Sequence, residues 1–282
     1  MAADVSTKAT HMAGQKLAIQ ANLARIERKV LVMSGKGGVG KTTVAVNLAL
    51  ALAFLKQRVG LMDIDLHGPS TAIMLGLKDR FQVKGGLLEP IPAAGGLKVA
   101  SMAALLADQS TSVIWRGPKK IALIRQFLAD VDWGELDELV IDSPPGTGDE
   151  PLAVAKGVPG VRAVVVTTPQ LMSLADVRRS ITFCRRVGLP VWGIVENMGP
   201  LACPNCGHPL ALFGSGGGER LARETGVDFL GTIPFWPELV TAADAGRPLI
   251  LEEPESVPAR AFADLARRMI DTWPAERSLA SL

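Results

Sequence analysis

The chain has 282 residues, 48% of them apolar, and its 30 basic side chains stand against 28 acidic ones. That length can bury a large α/β core, and the near-neutral balance speaks against nucleic acid or an anionic membrane as partner. No apolar run reaches the ~18 residues of a membrane span, no basic-then-apolar leader opens the chain, and three cysteines are too few for a disulfide framework. The expected location is the cytoplasm, a reducing compartment, where the two cysteines three residues apart would have a metal or redox task.

Residues 1–28 are Ala-rich and polar, with weak helical patterning at Leu17, Ile19, Leu23 and Ile26, and read as an N-terminal arm without cysteine. The rest, 29–282, reads as one domain. Its predicted strands lie at 29–34, 58–63, 97–102, 138–142, 162–168, 191–196 and 229–233. Several are apolar on consecutive residues, as strands covered on both faces are. Helical patterns separate them, for example Val44, Leu48, Leu52 and Leu55, or the stretch 174–187. This alternation predicts an α/β fold with a doubly wound, mostly parallel sheet flanked by helices. Ligands on such sheets gather beyond the carboxyl ends of the strands, and the sharp motifs all follow a strand.

The first strand runs into Gly35, Lys36, Gly37, Gly38, Val39, Gly40, Lys41, Thr42 and Thr43, followed at once by a helix. This is the P-loop pattern G-x-x-x-x-G-K-S/T in its required strand–loop–helix setting. Glycines let successive N–H groups close around phosphate oxygens, and the helix N-terminus points at the same anion. Lys41 is placed to reach the β and γ phosphates of ATP, and the Thr42 hydroxyl to take a place on Mg²⁺. The second strand ends in Asp63 and Asp65, two carboxylates that are costly to bury unless a cation or donor needs them. The fourth ends in Asp142 before Ser-Pro-Pro-Gly-Thr-Gly, the Walker B arrangement for Mg²⁺, with Gly146 free to bring a backbone N–H to the γ-phosphate.

Cys203-Pro-Asn-Cys206 follows the sixth strand by a short loop and reads as an insertion in the domain. Such a turn sets two thiolates side by side, suited to a tetrahedral metal or half of a cluster. The chain holds no second pair. Cys184 sits in a helical, core-like context, and His208 would make a cramped third ligand. Three readings follow from spacing: four thiolates from two chains around zinc or a cluster, structural zinc with a further ligand, or a redox dithiol.

Lys36, at the second motif position, resembles the deviant P-loop of the MinD/ParA/nitrogenase-iron-protein group. That likeness implies a nucleotide sandwich homodimer in which Lys36 reaches the partner's phosphates. It also implies Asp63 beside the Mg²⁺ waters and Asp65 orienting the attacking water. Several segments together, at 34–43, 63–70, 113–118, 141–150, 167–170, 195–198, 203–207 and 213–219, resemble the Mrp/ApbC family of iron–sulfur carrier ATPases, in its short form without an extra N-terminal domain. The resemblance implies that Cys203 and Cys206 of two subunits hold one labile 4Fe–4S cluster for transfer to apo-proteins. It further implies that Asn197 reads the adenine edge and that the Thr168-Pro169-Gln170 loop supports the nucleotide.

Two rival functions share the P-loop. A MinD- or ParA-like spatial organiser would use the apolar stripe Phe262, Leu265, Met269, Ile270 and Trp273 on a membrane, although such stripes more often pack on their own domain. An ATP-gated reductase component would bridge its cluster with widely separated cysteines instead of one Cys-x-x-Cys.

Overall fold

The apolar run 30–33 serves two opposite cores. β1 (Ile26–Ser34) lies inside a covered sheet; Val30 and Val32 enter one core, Leu31 and Met33 the other, and all four are fully buried. The computed structural model describes residues 2–65, 70–102 and 117–273, with side chains from residue 13 onward.

After α1 (Ala2–Leu23) and β1 come α2 (Lys41–Phe54), β2 (Val59–Asp63) and the single turn α3 (Thr71–Met74). Short strands β3 (Gln82–Lys84), β4 (Leu87–Glu89) and β5 (Ile91–Pro92) lead into β6 (Lys98–Ser101) and α4 (Gly117–Asp130). Then β7 (Leu136–Asp142), α5 (Asp149–Gly157), β8 (Val161–Thr167), α6 (Leu171–Val187) and β9 (Val191–Gly199) alternate. The hairpin β10 (Leu201–Ala202) and β11 (Pro209–Leu210) precedes α7 (Gly217–Thr225), β12 (Phe229–Pro234), α8 (Pro237–Asp244), α9 (Leu249–Glu252) and α10 (Val257–Thr272).

Among the described residues one eight-stranded sheet forms, in the order β12-β9-β8-β1-β7-β2-β6-β5. All its pairs are parallel except β5 on β6. The carboxyl ends of β1, β2, β7, β8 and β9 therefore emerge together. α2 and α10 cover one face, while α4, α5, α6 and α7 cover the other. All seven predicted strands are present, and the doubly wound fold is the observed one. The short antiparallel strands were not predicted, because two or three residues carry no readable period.

The N-terminal arm is helical, and β1 begins at Ile26, ahead of the expected position 29. Its end is docked: Ile19 and Leu23 are buried, and Asn22 Nδ2 donates to Leu128 O at 3.1 Å and Val131 O at 2.6 Å, at the end of α4. The C-terminal stripe packs inward. Phe262, Leu265 and Met269 are buried in the core that contains α2. No helix among the described residues is long and apolar enough to cross a membrane.

Candidate functional site

The loop 35–40 turns from β1 into α2, and its glycines have separate physical reasons. Gly40 has a left-handed φ of 77°, and a Cβ there would meet Asn197 Nδ2 at 2.2 Å. Gly35 lies against α6, where a Cβ would come 2.5 Å from the Asp176 carbonyl carbon. Ser34 Oγ donates to Lys36 O at 2.9 Å, and Asn197 Nδ2 donates to Val39 O at 2.9 Å. The loop is thus braced from β9 as well as from its own strand.

Lys36, Gly37, Gly38, Gly40, Lys41, Thr42 and Thr43 line a cleft of about 470 Å³. Asp65, Pro145 and Asn197 join them, and so does a segment absent from the sequence reading, Pro234-Phe235-Trp236 with Leu239. A Pro-Phe-Trp-Pro run directly after a strand was the available signal. Gly35 and Val39 lie behind the lining residues; Val39 turns its side chain into the core and contributes its carbonyl.

Beneath the cleft, β2 and β7 end in register, Asp63 beside Asp142, and both carboxyls are buried. Lys41 Nζ donates to Asp142 Oδ1 at 2.5 Å, and Thr42 Oγ1 donates to Asp142 Oδ2 at 2.7 Å. Asp63 accepts from the Asp65 N–H at 2.9 Å and from Ser101 Oγ at 3.3 Å. Burial pushes the Asp63 carboxyl up to about 7, with the neighbouring Asp142 charge adding to the rise. Burial also raises Asp142, while Lys41 and Thr42 pull it back towards the ionised form. Hard oxygen donors from Thr42, Asp63 and Asp142 thus converge, a donor set that fits Mg²⁺.

Two expected nucleotide residues, Gly146 and Pro169, are not among those that line the cleft. The Gly146 N–H, expected at the γ-phosphate, donates to Ser34 O at 2.9 Å, because the loop after β7 folds back on β1 with φ 93° at this glycine. Pro169 does not line the cleft. It packs on the other side of its strand end, 3.6 Å from where a Gly214 Cβ would be and against Gly217. Residues 66–69 of the acidic segment 63–70 and residues 113–116 of the segment 113–118, which ends in Trp-Arg-Gly-Pro, lie outside the described residues, whereas Gly117 and Pro118 open α4.

Cys203 and Cys206 sit at the tip of the β10–β11 hairpin. The Cys203 N–H donates to His208 O at 2.9 Å, and the Gly207 N–H to Cys203 O at 2.8 Å. The backbone N–H of Cys206, then that of Asn205 and the Cys206 thiol, hold the Cys203 thiol below its usual pKa. Cys206 is exposed and Cys203 half-buried. Cys184, in contrast, is buried beside Met33 Sδ at 3.5 Å, and desolvation pushes its thiol up to about 12. Among the described residues no group of three His, Cys, Asp or Glu is placed to hold a metal ion.

The sequence reading also missed Glu196. Its buried carboxylate accepts from Gly218 N at 2.6 Å and Gly216 N at 3.3 Å, so it satisfies the N-terminus of α7. This ties the end of β9, where Asn197 stands, to the chain that returns from the cysteine hairpin. Only the run of glycines at 214–218 hinted at it.

The family model described as ParA: NUBPL iron-transfer P-loop NTPase matches residues 25–270. The chain belongs to this family. It is 44% identical to the iron-sulfur cluster carrier protein of Methanocaldococcus jannaschii, over 92% of the chain and 90% of the relative. It is 45% identical to the cytosolic Fe-S cluster assembly factor NUBP2 of Rattus norvegicus, over 90% of the chain and 96% of the relative. Among solved structures, the nucleotide-binding protein of Archaeoglobus fulgidus in complex with ADP superimposes with a TM-score of 0.76 at 38% identity, covering 92% of this chain and 97% of that one. The cell division ATPase MinD of Pyrococcus furiosus shares the fold, with a TM-score of 0.65 at 24% identity, over 86% of this chain and 98% of that one. The expected kinship with ParA-type and iron–sulfur carrier P-loop NTPases therefore holds, and with MinD the shared feature is the fold.

Proposed function

We propose that this P-loop NTPase binds and hydrolyses Mg-ATP as a homodimer and carries a 4Fe–4S cluster between two copies of itself for delivery to apo-proteins. The observation that carries the reading is the hairpin. It presents two thiols, one of them acidified, and no third ligand among the described residues of the same chain joins them. Two copies around a two-fold axis complete a four-thiolate set. Exposed apolar side chains support such a contact. Leu210 and Leu212 adjoin the hairpin, and Leu171 and Met172 follow Pro169, which packs on Gly214. The names of the curated relatives support the cargo and a cytosolic setting.

At the nucleotide, the loop N–H groups and the α2 N-terminus bind phosphate, and Lys41 moves from Asp142 to the β and γ oxygens. Thr42 and Asp142 would hold Mg²⁺, with Asp63 behind them, and the ion would neutralise charge on the phosphates. Asp65, which lines the cleft, orients the attacking water, and Lys36 of one copy meets the phosphates of the other. Asn197 and the Pro234–Trp236 segment flank the base; the Asn197 carboxamide keeps its oxygen for an adenine donor while its nitrogen serves Val39.

Anaerobic reconstitution with iron and sulfide, followed by sizing and metal analysis, tests the proposal. About four irons per dimer are expected, with loss of all of them in Cys203→Ser or Cys206→Ser. A monomer holding a full cluster, or one tight zinc per chain, would overturn it.

A further inference from the structure

The Trp-Arg-Gly-Pro motif has no part in the reading above, yet its described end meets the loop behind the Mg²⁺ carboxylate. α4 starts at Gly117, and α5 starts at Asp149, immediately after the loop 143–148 that follows Asp142. Lys120 Nζ, in the first turn of α4, donates to Glu150 Oε1 at 2.9 Å, in the first turn of α5. The pair is largely shielded, the two side chains being 17% and 8% exposed. Beside it, the Asp149 carboxylate rests on Gly117 so closely that a Cβ there would come 2.3 Å from Oδ2. The Asp149 side chain is exposed and can turn aside, so the Lys120–Glu150 pair is the contact that ties the two helix starts.

Local preference argues against this arrangement. A lysine in the first turn of a helix opposes the macrodipole, and a carboxylate as buried as Glu150 is unfavourable without a partner. Each side chain makes the other more tolerable, and a local conflict eased across two elements marks a position held for its geometry. The loop itself is anchored where it leaves β7, by Ser143 Oγ to Val32 O at 3.0 Å and Gly146 N to Ser34 O at 2.9 Å. The far end of α4 is fixed by Asn22 from α1. α4 is therefore a braced strut, and its first turn sets where α5 begins.

We propose that Lys120 is a positioning residue for nucleotide hydrolysis: through Glu150 it holds the loop 143–148 beside the phosphate site. This rests on the ATP-hydrolysis reading above, so the test carries a readout that does not require turnover.

Full-length Lys120→Met, Lys120→Arg, Glu150→Gln and the double variant Lys120→Met/Glu150→Gln would be compared with wild type. Lys120→Met should lower kcat at least about tenfold while KM for ATP stays within about twofold, because the P-loop is untouched. Amide exchange at 146–150 in protein without added nucleotide should quicken about tenfold, with exchange elsewhere unchanged. Lys120→Arg should restore both, and the double variant should lose no more than Lys120→Met, the mark of a shared contact. If Lys120→Met folds poorly, Glu150→Gln must show the same kcat and exchange changes. Unchanged exchange at 146–150, or a rise spread evenly over the chain, would overturn the proposal. A wild-type protein without turnover would overturn the hydrolysis reading alone, and the exchange data would still decide the latch.

Discussion

Replacing Lys41 by methionine keeps the length of the side chain and removes its charge, so it isolates the contact with Asp142. Lys41 Nζ lies 2.5 Å from Asp142 Oδ1, with the two side chains 8% and 1% exposed. Breaking so buried a pair from one side costs about 3–5 kcal/mol, because a carboxylate is left without its cation. Two features place this case at the lower end. The Thr42 hydroxyl still donates to the other oxygen at 2.7 Å, and burial already favours the protonated carboxyl. A loss of about 3 kcal/mol corresponds to a fall in Tm of about 6 °C for a domain of this size. The sign with pH follows from the same shift. Without Lys41 the folded pKa of Asp142 rises further, protonation favours the folded state, and the loss should shrink at pH 6 and grow at pH 8. Urea and thermal unfolding in EDTA without nucleotide, at both pH values, would measure it. Lys41→Met should also abolish ATP turnover. Identical unfolding of variant and wild type at pH 8 would refute the reasoning, since Lys41 would then have no carboxylate to leave when phosphate binds.

Asp63 provides a second pH test: its folded pKa of about 7 lies above the ordinary value of 3.8, so stability should fall as pH rises through that window in metal-free protein. Asp63→Asn should flatten this slope, and an unaltered slope would show that Asp63 does not carry the proton. Iodoacetamide at pH 7.5 should label Cys203 at least about a hundredfold faster than Cys184, whose thiol is buried and poorly acidic; comparable rates would contradict the described environments. Asp65→Asn should slow hydrolysis about a hundredfold while nucleotide affinity stays near wild type. Equal loss of both would make Asp65 a binding residue.

The phosphate loop was legible because its chemistry is local. A strand, closely spaced glycines and a helix N-terminus lie within about a dozen residues, so one stretch of chain holds the whole cradle. The seven principal strands were legible because burial on both faces leaves continuous apolar runs. The cysteine pair was legible for the same local reason. The contacts that turn these pieces into a site join residues far apart in the chain. Lys41 reaches Asp142, Asn197 reaches Val39, Glu196 caps α7 at Gly218, and Lys120 meets Glu150. Each depends on which strand ends and helix starts become neighbours, and that is decided by sheet order. β1 lies between β7 and β8, so the Walker B carboxylate lands beneath the P-loop. Pro169 shows the limit clearly. Its position after β8 could be read from the chain, but the side to which that strand end turns could not. Packing against Gly214 and Gly217 sends it away from the nucleotide cleft and towards the segment returning from the cysteines. Local patterns determined the elements and the reactive groups they carry; the close packing of a parallel sheet's carboxyl edge, where neighbours are distant in sequence, decided which of those groups touch.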